Sequence, residues 1–264
     1  MGIVNVTPDS FSDGGQHLQR DAAIKHALQL IAEGADILDI GGESTRPGAR
    51  PVSIQEELDR VLPIIEGLRG AFAPFLPVPI SIDTCKPEVM RAAIAAGAQM
   101  VNDINALQDA AAMHAVAASN VAVCLMHKQG NPQTMQQQPH YQNVVDEVSA
   151  FLRERIAAAE AAGIQRQRIV IDPGFGFGKT LAHNLALLRE LRKMAELGVP
   201  VLAGLSRKSM LGALTGHDVA QRLPASVAAA LIAVQHGASI VRVHDVRATV
   251  DALKVWNAVN GEIT

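Results

Sequence analysis

The chain has 264 residues, with 23 basic and 26 acidic side chains and a formal net charge of −3. This length allows a large hydrophobic core, and the lack of a basic surplus argues against a nucleic-acid-binding protein. Only 3% of the residues are aromatic, which also disfavours a surface that stacks single-stranded bases. The sequence contains neither an apolar run long enough to span a membrane nor a recognisable signal peptide, so we expect a cytoplasmic protein.

Short β-branched segments alternate with Ala- and Leu-rich helical segments along the whole chain. Ser53 and Glu56 have the spacing of a capping box, and Pro87 suits the first turn of a helix. The predicted strands cover residues 2–6, 37–40, 78–82, 100–104, 121–126, 168–172, 200–204 and 239–243. The predicted helices lie near residues 22–32, after 53, after 87, and near 110–118, 144–162, 185–197, 225–236 and 249–259.

Strands that are separated by helices pair in parallel, and two architectures suit that pattern. A doubly wound sheet uses fewer strands and usually carries a glycine fingerprint in its first turn, which this sequence lacks. Eight β-then-α units fit a closed barrel, which typically has about 250 residues. The sequence therefore predicts an α/β fold: one (β/α)8 TIM barrel, forming a single domain over residues 1–264.

Polar residues occur at or just past nearly every predicted strand end, where a TIM barrel has its active site. Carboxylates and amides there can hold the N–H groups of a planar heterocycle, and basic side chains can gather the oxygens of a phosphate or pyrophosphate. We therefore expect a heterocyclic substrate that carries a phosphate leaving group. These residues are Asn5, Asp39, Asp83, Asn102, Asp103, His127, Asp172, Ser206, Arg207, Lys208, Arg242 and His244.

Two other patterns do not support the chemistry that they suggest. The segment 173–180 ends like a phosphate-binding P-loop, but Pro173 stands where the first glycine of that motif is required. The nine histidines show no zinc-ligand spacing, and Cys85 and Cys124 lack the spacing of a metal or redox motif. We expect both cysteines to be buried free thiols.

Eight segments, in register from residue 2 to about residue 259, resemble the signatures of the bacterial dihydropteroate synthases, a family of pterin-binding TIM barrels. They are GIVNVTPDSFSDGG (2–15), GGESTRPG (41–48), SIDT (81–84), VNDI (101–104), LMH (125–127), DPGFGFGK (172–179), SRKS (206–209) and RVHD (242–245).

The resemblance implies an enzyme of folate biosynthesis that joins p-aminobenzoate to 6-hydroxymethyl-7,8-dihydropterin pyrophosphate. The products would be 7,8-dihydropteroate and pyrophosphate, and sulfonamides would compete with p-aminobenzoate. The resemblance assigns the main catalytic roles to Asp83, Asp172, Lys208 and Arg242. It assigns pterin binding to Asp83, Asn102, Ile104, Met126, Asp172, Phe177, Gly204, Lys208 and Arg242.

The remaining substrate groups are assigned in the same way. Asn5 would ligate Mg²⁺, and a homodimer would form through the last helices. The implied pyrophosphate site consists of Asn5, Thr45, Arg46, Arg242 and His244. The implied p-aminobenzoate site consists of Phe11, Thr45, Pro47, Phe177, Ser206 and Lys208.

Three alternatives remain open at the level of sequence. A pterin-binding methyltransferase would share the fold and the pterin pocket, although the STRPG segment and Arg46, Arg242 and His244 favour pyrophosphate chemistry. An aldolase would use Lys208 as a Schiff base. A catalytically inactive barrel could serve as a pterin-binding or scaffold module.

Overall fold

The computed structural model describes residues 1–6, 16–44, 49–72, 76–130 and 134–261. Short strands rich in Ile, Val and Leu alternate with helices, as the sequence pattern predicts. The strands are β1 (Gly2–Asn5), β2 (Leu38–Gly41), β3 (Ile80–Asp83), β4 (Met100–Asp103), β5 (Ala122–Met126), β6 (Ile169–Asp172), β7 (Leu202–Ala203) and β8 (Ile240–Val241).

The helices are on average longer than the strands, and several begin at a residue with a capping side chain. The Ser53, Asp109 and Asn143 side chains each accept a hydrogen bond from a backbone N–H of the first helical turn. The helices are α1 (Gln16–Ala32), α2 (Ile54–Ala71), α3 (Pro87–Ala96), α4 (Ala110–Ala117), α5 (Val144–Ala161), α6 (Leu181–Arg189), α7 (Arg192–Ala195), α8 (Ser209–Thr215), α9 (Leu223–Gln235) and α10 (Val246–Val259).

The strands close into a ring. β1 to β6 pair in chain order and β7 pairs with β8, all in parallel. Single bridging pairs, Ile171 with Val201 and Gly2 with Val243, connect the two sheets at both edges. The predicted TIM barrel is therefore confirmed, whereas the single domain over residues 1–264 stays a prediction.

Three local predictions differ from the structure. The helix predicted over 185–197 is divided into α6 and α7, with the fully buried Leu191 at the break. The sequence pattern did not indicate α8. Only half of the capping box forms, because the Glu56 carboxylate is paired with Arg60 instead, at 2.6 Å.

The two ends of the barrel interior differ in polarity. Met100 lies two positions before Asn102 on β4, and Val170 lies two positions before Asp172 on β6. Residues two apart on a strand point to the same side of the sheet. Met100 and Val170 belong to a small apolar cluster that also contains Met1, Cys124 and Leu202. Asn102 and Asp172 lie at the carboxyl ends of the strands. The apolar cluster therefore forms the floor, and polar side chains line the opposite mouth.

Candidate active site

Strand register brings the predicted site residues together at this mouth. Asp83 is the last residue of β3 and is in register with Asn102 on β4. Asp172 is the last residue of β6, and Arg242 directly follows β8. Because all the strands are parallel, these side chains share one end of the barrel.

Arg242 is the centre of a charged network. Its Nε donates to Asp39 Oδ2 at 2.6 Å and its Nη2 donates to Asp83 Oδ2 at 2.8 Å. Asn102 Nδ2 donates to the same Asp39 oxygen at 3.1 Å. Burial by itself would lower the pKa of Arg242, but the two carboxylates outweigh it and raise that pKa. Arg242 therefore carries a permanent positive charge at the mouth.

Asp39 is a site residue to which the sequence analysis gave no role beyond its place near a strand end. Its side chain is completely buried, and its Oδ1 atom has no hydrogen-bond partner among the described residues. A carboxylate inside an apolar strand is costly unless it is paired. An acidic residue inside the apolar segment 37–40 was the sequence signal for this role. The structure shows that Asp39 orients Arg242 and Asn102.

Burial also alters the acidity of the two predicted catalytic carboxylates. It raises the pKa of Asp83 to about 7, although the Arg242 charge acts in the opposite direction. Burial raises the pKa of Asp172 as well, against the Gly174 N–H that is bonded to its Oδ1 at 2.7 Å and the charge of Lys208. Burial therefore favours the protonated form of each carboxyl group more than in an exposed aspartate.

An apolar wall lies beside these carboxylates. Ile104, Met126, Met135 and Phe177 pack into one cluster that is separate from the main core. The Lys208 Nζ atom lies 4.4 Å from the centre of the Phe177 ring, which is a cation–π distance. An apolar wall beside polar groups suits a planar heterocycle, and we refer to the region between this wall and the strand-end carboxylates as the slot.

The loops after β7 and β8 meet at the other side of the mouth. Ser206 Oγ lies 3.0 Å from His244 Nδ1 and also accepts the His244 backbone N–H at 3.2 Å. Gly204 follows β7 immediately, and a β-carbon at that position would lie 4.0 Å from Asp172 Oδ2. A glycine here keeps the space above Asp172 open.

The other predicted site residues are placed less completely. Asn5 ends β1, where it is half-buried and in register with Gly41. Four predicted residues lie outside the described part of the chain, namely Phe11, Thr45, Arg46 and Pro47.

The P-loop-like segment does not use its lysine in the manner of a P-loop. Lys179 is only 3% exposed, and its ammonium group donates to the backbone oxygens of Gly174 and Phe177, each at 3.0 Å. The rejection of a P-loop agrees with this geometry.

Neither a cluster of metal ligands nor a membrane-spanning helix is present in the described ranges. Within the described ranges, no group of three or more His, Cys, Asp or Glu side chains is arranged to hold a metal ion. No helix in this part of the chain is both long and apolar enough to cross a membrane.

Comparison with known proteins gives consistent matches. The model of the family described as pterin binding enzyme matches residues 1–244. The dihydropteroate synthase of Escherichia coli K12 is 50% identical over 258 residues, which are 98% of this chain and 90% of that protein.

Two solved structures extend the likeness to the fold. The Xanthomonas albilineans dihydropteroate synthase with 4-aminobenzoic acid is 59% identical, with a TM-score of 0.92 over 98% of this chain and 92% of that one. The Yersinia pestis dihydropteroate synthase in a sulfonamide drug complex is 48% identical, with a TM-score of 0.92 over 99% of this chain and 94% of that one.

Proposed function

The chain belongs to the pterin-binding enzyme family, and from this membership we infer that it acts as a dihydropteroate synthase. It is a transferase that joins p-aminobenzoate to 6-hydroxymethyl-7,8-dihydropterin pyrophosphate, giving 7,8-dihydropteroate and pyrophosphate. The observation that carries this function is the mouth itself. There Arg242 is paired with Asp39 and Asp83 beside an apolar slot.

We propose that the pterin ring occupies the slot between the carboxylates and the apolar wall. Asp83, Asn102 and Asp172 offer acceptor and amide groups for the polar edge of the ring. The ring faces would contact the side chains of the wall, and the Gly204 position leaves room above Asp172. The apolar residues of this subsite are Ile104, Met126 and Phe177.

The reaction breaks the bond between the pterin methylene carbon and the pyrophosphate oxygen. The aniline nitrogen of p-aminobenzoate forms the new bond to that carbon and then loses a proton. Positive charge develops on the pterin methylene as pyrophosphate leaves, and the buried Asp172 carboxylate stabilises it. An aniline nitrogen is already nucleophilic, so the site needs no strong general base.

The departing pyrophosphate requires positive charge, and Arg242 and His244 provide donors for it at the end of β8. Arg242 can exchange its bonds to Asp39 and Asp83 for bonds to phosphate oxygens, because a guanidinium binds both groups well. Thr45, Arg46 and Asn5 would complete this subsite. Charge that is already in place lowers the cost of releasing the anion.

Mg²⁺ fits the donors at this point of the barrel. Asn5 and the nearby carboxylates supply oxygen atoms, which magnesium prefers, and Mg²⁺ at a pyrophosphate needs only one or two protein ligands. When bound, the ion would neutralise part of the charge on the leaving group.

p-Aminobenzoate would lie at the outer end of the slot, with its amine towards the pterin methylene. Phe177 and Lys208 face this region, and Ser206 follows at the start of the β7 loop. Phe11, Thr45 and Pro47 would close the pocket. The Yersinia pestis relative is known in a sulfonamide complex, and we expect sulfonamides to compete with p-aminobenzoate here.

We also propose that the chain works as a cytoplasmic homodimer. Among the described residues, the exposed large apolar side chains are concentrated between residues 214 and 259, with Ile54 as the exception. Leu214, Ile232 and Val255 are more than 40% exposed. A concentration of this kind favours a contact with a second copy.

A turnover assay tests the function. The protein is incubated with dihydropterin pyrophosphate, p-aminobenzoate and Mg²⁺, and dihydropteroate and pyrophosphate are measured. Lys208→Ala should lower kcat/KM by about 100-fold or more while thermal unfolding is unchanged, since Lys208 is at the mouth. Lys193→Ala, in the exposed ion pair with Glu190, is the matched control. Pterin binding without turnover would instead indicate a binding module.

A further inference from the structure

Lys179 is a buried amine that the proposed reaction does not use, and burial lowers its pKa to about 7. Its Nζ atom lies 2.9 Å from His127 Nδ1, 3.0 Å from the Gly174 oxygen and 3.0 Å from the Phe177 oxygen. In its protonated form the amine has three donors for these three acceptors, and a fourth acceptor, the His127 backbone oxygen, lies further away at 3.5 Å. The lysine is therefore fully bonded within the protein and has no donor left for a phosphate.

The histidine partner is suited to accept one of these bonds. Burial, with the Lys179 charge second, lowers the pKa of His127 to about 3, so the imidazole is neutral. His127 also packs edge-on against the Phe151 ring, with the ring centres 5.0 Å apart. The imidazole is thus held in place by contacts that do not depend on substrate.

The two carbonyl partners belong to residues that touch the catalytic slot. The Gly174 N–H donates to Asp172 Oδ1 at 2.7 Å, and the Phe177 ring forms part of the apolar wall. The Phe177 N–H also donates to the Gly174 oxygen at 3.1 Å. One amino group therefore holds the carbonyl oxygens of two residues: Gly174, whose own N–H is bonded to Asp172, and Phe177, whose ring is part of the wall.

We propose that Lys179 is a positioning residue of the synthase reaction. It fixes the loop after β6 so that Asp172 and Phe177 face the pterin slot before substrate arrives. This role rests on the proposed function, because it assigns the loop to the pterin subsite. A pre-ordered slot avoids the ordering cost at binding and keeps the reacting groups aligned.

Two variants separate the hydrogen bonds from the charge. Lys179→Met has a similar shape but donates no hydrogen bond, whereas Lys179→Gln is neutral and keeps two N–H donors for the carbonyls. We expect kcat/KM for dihydropterin pyrophosphate to fall by about 100-fold in Lys179→Met and by about tenfold in Lys179→Gln. The partial rescue by glutamine is the signature of positioning, and the tenfold loss in Lys179→Gln stays measurable against the unmodified chain if the methionine variant does not fold.

Leu68→Ala is the matched control for a loss of stability alone. Leu68 is fully buried on α2, near the opposite end of the barrel from the mouth. It should lower Tm and leave kcat/KM of the folded enzyme unchanged at a temperature well below the transition. The proposal is overturned if the Lys179 variants behave in the same way as this control.

Hydrogen exchange on the substrate-free protein gives a readout that is independent of activity. In the unmodified chain the Gly174 and Phe177 amides should exchange slowly, and in Lys179→Gln they should exchange at least tenfold faster. Rapid exchange at both amides in the unmodified chain would refute the proposal, whatever the variants do. A failure of the function itself would appear separately, as absence of turnover in the unmodified chain with these amides still protected.

Discussion

At the residue scale, the Asp83 carboxylate is subject to two opposing effects. Burial raises its pKa to about 7, and the Arg242 guanidinium, which is bonded to it at 2.8 Å, lowers it. The ionised carboxylate accepts an N–H group of the pterin more strongly than the protonated carboxyl group does, because protonation turns one of its oxygens into a donor. Its charged form therefore predominates only above about pH 7, and protonation below that pH weakens the acceptor.

We accordingly predict that kcat/KM for dihydropterin pyrophosphate falls as the pH decreases through about 7, by up to tenfold per pH unit. A plot of kcat/KM against pH reports the ionisation of the free enzyme. In Arg242→Gln this acid limb should move to higher pH, because the charge that lowers the pKa of Asp83 is gone. Activity that stays constant down to pH 5 would contradict the assignment.

At the element scale, two pairs of side chains join the loops after β7 and β8. One is Ser206 with His244, and the other is a two-pronged ion pair in which Arg207 donates to Asp245 at 2.6 and 3.0 Å. Arg207 has a φ of +58°, a conformation that costs a non-glycine residue free energy. This backbone turn lies between Ser206 and Lys208, and the ion pair helps to hold it.

We predict that Arg207→Ala and Asp245→Ala each lower kcat/KM by about tenfold, because either change releases the turn that places Lys208. The double variant should be no worse than either single one, since the two residues act as a unit. The free energy of unfolding should change by about 1 kcal/mol or less, because the pair is partly exposed. Independent, additive losses of activity would show that the two loops are not coupled.

The loop after β6 also depends on a glycine. Gly174 has a φ of +69°, and a β-carbon there would lie 1.8 Å from the His127 carbonyl oxygen. Gly163, after α5, has a φ of +92°, but a β-carbon at Gly163 would have no atom of the described residues within 4 Å. A comparison of the two glycines therefore distinguishes the cost of backbone strain alone from the cost of a clash with the His127 backbone.

We predict that Gly163→Ala lowers the free energy of unfolding by about 1–2 kcal/mol, the cost of the left-handed conformation alone. Gly174→Ala should lower it by about 3 kcal/mol or more, since the His127 backbone must also move. Urea unfolding of both variants measures the difference. Equal losses would mean that the loop can shift away from the added methyl group.

The sequence predicted elements well where a periodic pattern was sufficient. All eight strands were anticipated, because β-branched segments flanked by helical ones recur at regular intervals. The break between α6 and α7 was not, since Leu188, Leu191 and Met194 maintain helical spacing across it. Short helices such as α8 contain too few residues for a period to be visible.

The site was predictable to a similar degree. Residues such as Asp83 and Asp172 stand out because they end apolar strands. The functions of Asp39 and Lys179 depend on contacts with residues distant in sequence, Arg242 in one case and His127 in the other. Such pairings follow from barrel closure and strand register, which no local pattern specifies.

At the scale of the whole molecule, the closed barrel leaves large apolar side chains exposed on its last two helices, α9 and α10. Val255 and Val259 on α10 are 65% and 80% exposed, and Ile232 on α9 is 41% exposed. α9 and α10 are in contact with each other, and Val255 and Val259, four residues apart, lie on the same face of α10. Exposed apolar groups of this kind favour burial against a partner.

We predict that the unmodified chain sediments as a dimer at micromolar concentration and that Val255→Asp shifts it towards the monomer, because a carboxylate is costly to bury in an apolar contact. Ile54→Asp is the matched control: Ile54 is 41% exposed at the start of α2, outside this face, and its replacement should leave the dimer intact. Sedimentation velocity distinguishes the species. A monomeric unmodified chain, or a Val255→Asp variant that stays dimeric, would refute the assignment of this face. Since the face lies on the outer helices, kcat/KM should be the same for both variants.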